Sequence, residues 1–245
     1  MLLQDKVVIV SGIGPGLGQE LSTLAAKEGA AAVVMAARTP AKLDTAEAEI
    51  RELGLDTPVL KIPTDIADAA QCAALAERTV AEFGRIDVLF NSAYDPGAFE
   101  PIESADLDGW RRAMDVNFFG TMPLTQACVP GMKAGGGGAI VMIATMVEHK
   151  PLATQGGYGA SKSALRSATK HLALELGQYN IRVNSAHMGW MWGPAVEGYF
   201  AWQAQDTGRT IEELKAEVTR NIPLGIIPDD GECARAAVFL ASDYA

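Results

Sequence analysis

Six short, mostly apolar runs constrain the fold most: Val7–Val10, Ala32–Ala36, Val59–Ile62, Ile86–Phe90, Ala139–Ile143 and Ile181–Asn184. Each has strand length and lacks the polar alternation of a half-solvated strand, so each is expected to be buried on both faces, as in a parallel sheet. Helical periodicity fills the intervals, over Gly16–Glu28, Pro40–Leu53, Ala69–Phe83, Leu107–Met132 and Tyr158–Gly177, and one more helix is expected over Gly231–Ala241. Parallel neighbours need crossovers, and helices supply them with a right-handed sense. The expected class is therefore α/β: a doubly wound parallel β-sheet with helices on both faces, in three layers α/β/α.

At 245 residues, 49% of them apolar, the chain can bury one sizeable core, so a single domain over 1–245 is expected. Gly135–Gly138 is expected to end a helix and turn into the next strand, because the strand–helix rhythm resumes at once beyond it. The segment 189–221 breaks that rhythm. It carries Trp190, Met191, Trp192, Tyr199, Phe200 and Trp202, then a polar helical stretch from Ile211 to Arg220, and is expected to be a lid or substrate wall.

The formal charge is −10, which repels nucleic acid and anionic membrane surfaces and excludes both as expected partners. Cys72, Cys128 and Cys233 lie far apart, and none has metal-ligand spacing, so no metal site is expected and the thiols read as small buried groups. A strand-like segment follows Met1 directly, and no apolar run is long enough to cross a membrane; a soluble, cytoplasmic protein is expected.

Behind the first run stands Ser11-Gly12-Ile13-Gly14-Pro15-Gly16-Leu17-Gly18. A strand-to-helix loop of this kind offers free backbone N–H groups and the positive end of a helix dipole, which suit a pyrophosphate. The GxGxxG spacing is absent, since Leu17 and Gln19 stand where its last glycine would fall; the spacing that fits is GxxxGxG through Gly12, Gly16 and Gly18. Pro15 has no N–H to donate but fixes its own φ. Further along, Tyr158-Gly159-Ala160-Ser161-Lys162 opens a helix, and four-residue spacing puts Tyr158 and Lys162 on one face. A phenol with a pKa of about 10 needs a neighbouring ammonium to serve as a base near neutrality.

Taken in order, these features resemble the short-chain dehydrogenase/reductase family, in its shorter single-domain branch, over essentially the whole chain: Gly12, Gly16 and Gly18, then Asp65, Asn91-Ser92-Ala93-Tyr94, Asn117, Thr145 and YGASK. The resemblance implies a Rossmann-like fold and a ketone–alcohol oxidoreductase. Tyr158 would be the acid/base, Lys162 would tune it and hold the nicotinamide ribose, and Asn117 would kink its helix and anchor a proton relay. Thr145 would replace the family's serine, keeping the hydroxyl and adding a methyl group.

The implied cofactor residues are Gly12, Ile13, Gly14, Gly16, Leu17, Gly18, Arg38, Thr39, Asp65, Ile66, Asn91, Ser92, Ala93, Tyr158, Lys162, Gly189 and Met191. Where family members selective for NAD carry an acid after the second strand, this chain has Arg38 and Thr39. That favours NADP(H), with NAD(H) possible, although Arg38 can equally be a solvated helix start. Tyr94, Met146, Trp190, Trp192, Phe200 and Trp202 are the expected substrate wall, suited to an apolar, bulky or cyclic ketone or alcohol. Departures from the family pattern cluster here: Tyr94 replaces a glycine, Met188 a proline and Gly193 a threonine. His149 and His187 fall near the site, and the expected chemistry requires neither. The resemblance also implies a homo-oligomer, a dimer or tetramer. A non-redox relative that senses nucleotide or binds a partner is the alternative.

Overall fold

The computed structural model describes residues 1–245. Its strands are β1 (Val7–Ser11), β2 (Ala32–Ala37), β3 (Val59–Pro63), β4 (Val88–Asn91), β5 (Gly138–Thr145) and β6 (Ile181–Met188). They form one sheet in the order β3-β2-β1-β4-β5-β6, with every neighbouring pair parallel. The order reverses between β1 and β4, and the crevice beyond the carboxyl ends of those strands is where an open parallel sheet accepts a ligand. The architecture is Rossmann-like.

Helices α1 (Leu17–Lys27), α2 (Pro40–Glu52), α3 (Ala69–Phe83), α4 (Leu107–Met114), α5 (Thr121–Ala134), α6 (Gly156–Leu176), α7 (Pro194–Thr207), α8 (Ile211–Thr219) and α9 (Asp230–Ala241) complete the chain. The strand period of two divides the core. Val8, Val10, Val33, Met35 and Phe90 meet α1, α2 and α9 through Leu21, Leu43 and Val238. Val7, Ile9, Val34 and Leu89 meet α3, α5 and α6 through Leu75, Leu124 and Leu165. Neither face of the sheet is left to water, which is why the runs show no polar alternation.

Two expectations take a more definite form. The kink expected at Asn117 within Leu107–Met132 is a π-helical turn, Asp115–Gly120, between α4 and α5. Asn117 fixes it, bonded through its side chain to Asp95 and Ser161, and Gly120 passes so close to the Ile66 carbonyl that a Cβ there would stand 3.0 Å from it. The aromatic part of the segment 189–221 is itself a helix, α7, begun by Pro194 with Gly193 in extended backbone before it. The polar stretch beyond forms α8, capped by a reciprocal Thr210–Glu213 box.

Elsewhere the elements follow the pattern. At Gly136 and Gly137 φ is +86° and +144°, a left-handed turn after α5 that feeds β5 directly. β5 and β6 run past their apolar stretches and pair Thr145 with Met188 at the sheet's carboxyl edge.

Candidate active site

The glycine turn is dictated by contact. At Gly12, φ is +88°, and a Cβ would collide with the Ala93 backbone; at Gly18 it would collide with the Gly12 carbonyl oxygen. Gly16 holds φ +107° as the first cap of α1 and offers no side chain to the helix's leading amides. Those donors and the helix dipole face an opening with no protein group filling it, the arrangement that accepts an anion.

That opening is one end of a cavity of about 400 Å³. Of the residues expected to hold the cofactor, all line it except Asn91: Gly12, Ile13, Gly14, Gly16, Leu17, Gly18, Arg38, Thr39, Asp65, Ile66, Ser92, Ala93, Tyr158, Lys162, Gly189 and Met191. Asn91 sits beneath the floor, where its amide donates to Thr125 and to the Met142 sulfur while its Oδ1 is buried without a partner. A dinucleotide fits this chain's residues on those grounds: glycine positions that exclude side chains, uncapped amides, and a groove continuing to Tyr158.

Two further residues line the cavity that spacing did not single out. Lys42, on the first turn of α2, brings its Nζ to 3.7 Å from where a Gly14 Cβ would be. Its place on the first turn of α2, directly after the second strand, carries the signal rather than the glycine motif. Asp230, at the start of α9, lies against Gly16 and Gly193. Burial first, then Asp229 and Glu197, pushes its carboxyl above the usual range.

At the other end stand Thr145, closing β5, and Tyr158 and Lys162 on α6. Lys162 is almost wholly enclosed and donates from Nζ to the Ile143 carbonyl at 2.7 Å. Burial pushes its pKa down to about 8, against the opposing pull of Glu148. Burial likewise pushes Tyr158 up to about 12, and the Thr145 hydroxyl opposes that rise. Lys162 Nζ is 6.0 Å from the Tyr158 ring centre, and desolvation outweighs the other influences on the phenol.

Asn117 does not reach the cavity. Its Oδ1 accepts from the Asp95 N–H at 2.8 Å, and its Nδ2 donates to Asp95 O and Ser161 Oγ at 2.8 and 2.9 Å, which ties the π-turn to α6 one residue before Lys162.

Of the expected substrate wall only Tyr94 lines the cavity, its ring edge-on to Tyr158 at 6.5 Å. Met146, Trp190, Trp192, Phe200 and Trp202 do not line it. Phe200 is fully buried between Trp190 and Trp192, at 5.6 and 5.8 Å between ring centres, and Trp202 is 57% exposed. Composition marked the aromatic segment, but the helical turn of α7 decides which rings face inward, and most of them face one another. The residues that reach the cavity from this region are small or aliphatic: Met188, Gly189, Met191, Gly193, Ala195 and Val196.

A sequence model described as short chain dehydrogenase matches residues 6–204. Cyclohexanol dehydrogenase from Acinetobacter sp. is 31% identical over 241 residues, covering 98% of this chain and 89% of that protein. The structure of L-sorbose reductase from Gluconobacter frateurii, complexed with NADPH and L-sorbose, superposes with a TM-score of 0.92 at 30% identity, covering 100% of this chain and 93% of that one. NAD⁺-bound xylitol dehydrogenase gives 0.90 at 28% identity, covering 98% and 94%. With the match spanning most of its length and its fold shared throughout, this chain is an oxidoreductase belonging to the short chain dehydrogenase family.

Proposed function

We propose that the protein interconverts a ketone and a secondary alcohol on an apolar, bulky or cyclic substrate, using NADP(H) in preference to NAD(H). The observation that carries this reading is that one continuous cavity joins the uncapped glycine turn to Thr145, Tyr158 and Lys162.

The amides of the turn would hold the pyrophosphate, Asp65 and Ile66 would flank the adenine, and Ser92, Ala93, Gly189 and Met191 would bound the nicotinamide end. Arg38, Thr39 and Lys42 supply two cations and a hydroxyl where the second strand ends, a set suited to a 2′-phosphate. When bound, the nicotinamide supplies or accepts the hydride. In the reductive direction the Tyr158 phenol donates its proton to the carbonyl oxygen, and the Thr145 hydroxyl holds that oxygen and the negative charge it develops. The Lys162 ammonium stabilises the resulting phenolate and holds the ribose hydroxyls, and Asn117 keeps the π-turn and α6 in place. Oxidation of the alcohol reverses these proton movements.

Tyr94 lies edge-on to Tyr158, and Met188, Met191, Ala195 and Val196 add apolar surface to the same cavity. That supports an apolar substrate, as does the name of the cyclohexanol dehydrogenase relative; the L-sorbose and xylitol enzymes act on polar ones. Phe119 and Leu174, 59% and 81% exposed, supply apolar surface for the homodimer or tetramer we read, which sedimentation would show as a mass above one chain. The substrate reading is tested by assaying cyclohexanone, bulkier cyclic ketones and L-sorbose with NADPH and with NADH. Turnover of cyclic ketones, faster with NADPH, is expected. Tight nucleotide binding with no turnover across the panel would favour a nucleotide sensor instead.

A further inference from the structure

Just outside the cavity, beyond Thr145, three groups distant in sequence or in orientation converge. Glu148 ends the single turn that follows β5, His149 comes next to it, and His187 lies on β6, beside Ala144 in the register. One donor atom from each lies within 4.8 Å of the other two. Glu148 Oε1 is 3.6 Å from His187 Nδ1, a separation close to that between two ligands of one small cation. The imidazole rings of His149 and His187 are 5.3 Å apart.

The surroundings orient these groups. His187 Nε2 is bonded to Ser185 Oγ at 2.9 Å, which leaves Nδ1 turned towards the carboxylate. The Glu148 side chain is fully buried; its Oε2 lies 3.0 Å from Arg166 Nε, yet neither atom makes an aligned hydrogen bond. A buried carboxylate with Oε2 against a guanidinium at poor angle and Oε1 beside the His187 imidazole has unused ligand capacity. Outer contacts of this kind, a hydroxyl on the histidine and a cation on the carboxylate, are how protein metal ligands are held.

We propose that Glu148, His149 and His187 form a site for a divalent transition-metal ion of the zinc or nickel type, with its fourth position open to water. Two imidazoles and one carboxylate suit such ions and disfavour magnesium or calcium, which prefer oxygen alone. The ion would pin the turn after β5 to the end of β6. These two segments present Thr145 and Met188 to the cavity, and Glu148 Oε1 already accepts, at 3.4 Å, from the Thr145 N–H. The site is thus a brace on the edge of the cavity and takes no part in the hydride or proton steps. The sequence places His149 and His187 near the site, but only the β5–β6 pairing brings His187 to Glu148.

The test is binding of the metal alone. Full-length protein is stripped with chelator and dialysed against micromolar Zn²⁺, and retained zinc is measured; Co²⁺ in its place reports ligand geometry by its visible absorption. One ion per chain is expected, with the intense absorption of a four-coordinate site. His149→Ala and His187→Ala should each weaken retention by about tenfold or more. His171→Ala, on the exposed face of α6 and away from the cluster, should leave it unchanged. Both variants of the site change partly exposed side chains, and circular dichroism confirms their fold. No retained zinc, retention equal to wild type in both His149→Ala and His187→Ala, or equal loss in His171→Ala would overturn the proposal.

Discussion

The glycine turn and the aromatic segment around Trp190–Trp202 lie beside the same cavity, and they are specified in different ways. In the turn, the backbone itself forms the lining. Gly12 and Gly18 are needed because their neighbours' main-chain atoms occupy the space a Cβ would take, so a short spacing written in one residue type carries the geometry. In the aromatic segment, side chains decide. Trp190, Trp192, Tyr199 and Phe200 stack on one another, and the cavity receives Gly189, Met191, Gly193, Ala195 and Val196. A backbone-built turn is therefore brittle to single substitutions, and a ring-packed segment tolerates change at its outer rings.

The sharpest way to break this contrast is Gly18→Val, which would set a branched side chain on the Gly12 carbonyl. Loss of measurable nucleotide binding is expected by fluorescence titration, and near-normal affinity would show that the turn has more slack than its contacts allow.

A second effect tests the reactive end through pH. Burial pushes Lys162 down to about 8, so its ammonium is present below that pH and is lost above it, while Tyr158, pushed up to about 12, keeps its proton throughout. The kcat/KM for ketone reduction should hold below pH 8 and then fall by about tenfold per unit as a single deprotonation removes the ammonium. A flat profile across that range would remove Lys162 from the account.

Smaller still is the effect of Lys42→Ala. If the cation over Gly14 meets a 2′-phosphate, the preference for NADPH over NADH should drop by about tenfold, the worth of one charge-assisted hydrogen bond. Equal loss for both nucleotides would place Lys42 on the pyrophosphate instead.

The least effect is expected from Trp202→Ala. That ring is 57% exposed and lies outside the cavity, so stability should change by less than about 0.5 kcal/mol, with kcat/KM unaltered. A large rise in KM would mean the ring meets substrate after all.

The same contrast explains what was legible in the sequence. Strand runs, crossovers and the ordered set from Gly12 to Lys162 are local patterns, and they led to a doubly wound sheet with most of that set lining one cavity at its carboxyl edge. The interruption at Asp115–Gly120 was not visible as a π-turn, because Asn117 owes it to Asp95 and Ser161, residues remote in sequence. Lys42, Asp230 and the Glu148–His187 pairing were hidden for the same reason: each acquires its neighbours only when α2, α9 or β6 packs. Composition marked the aromatic segment as apolar without showing that Trp190, Trp192 and Phe200 pack on one another rather than line the cavity.

If the glycine turn binds nucleotide and Tyr158 donates the proton, the two functions should separate in Tyr158→Phe, which removes one oxygen and leaves the turn untouched. Nucleotide affinity, measured by fluorescence titration beside turnover of the best ketone, should stay within about twofold of wild type while kcat falls by about a hundredfold to ten-thousandfold. Undiminished turnover in that variant, with binding intact, would contradict the account.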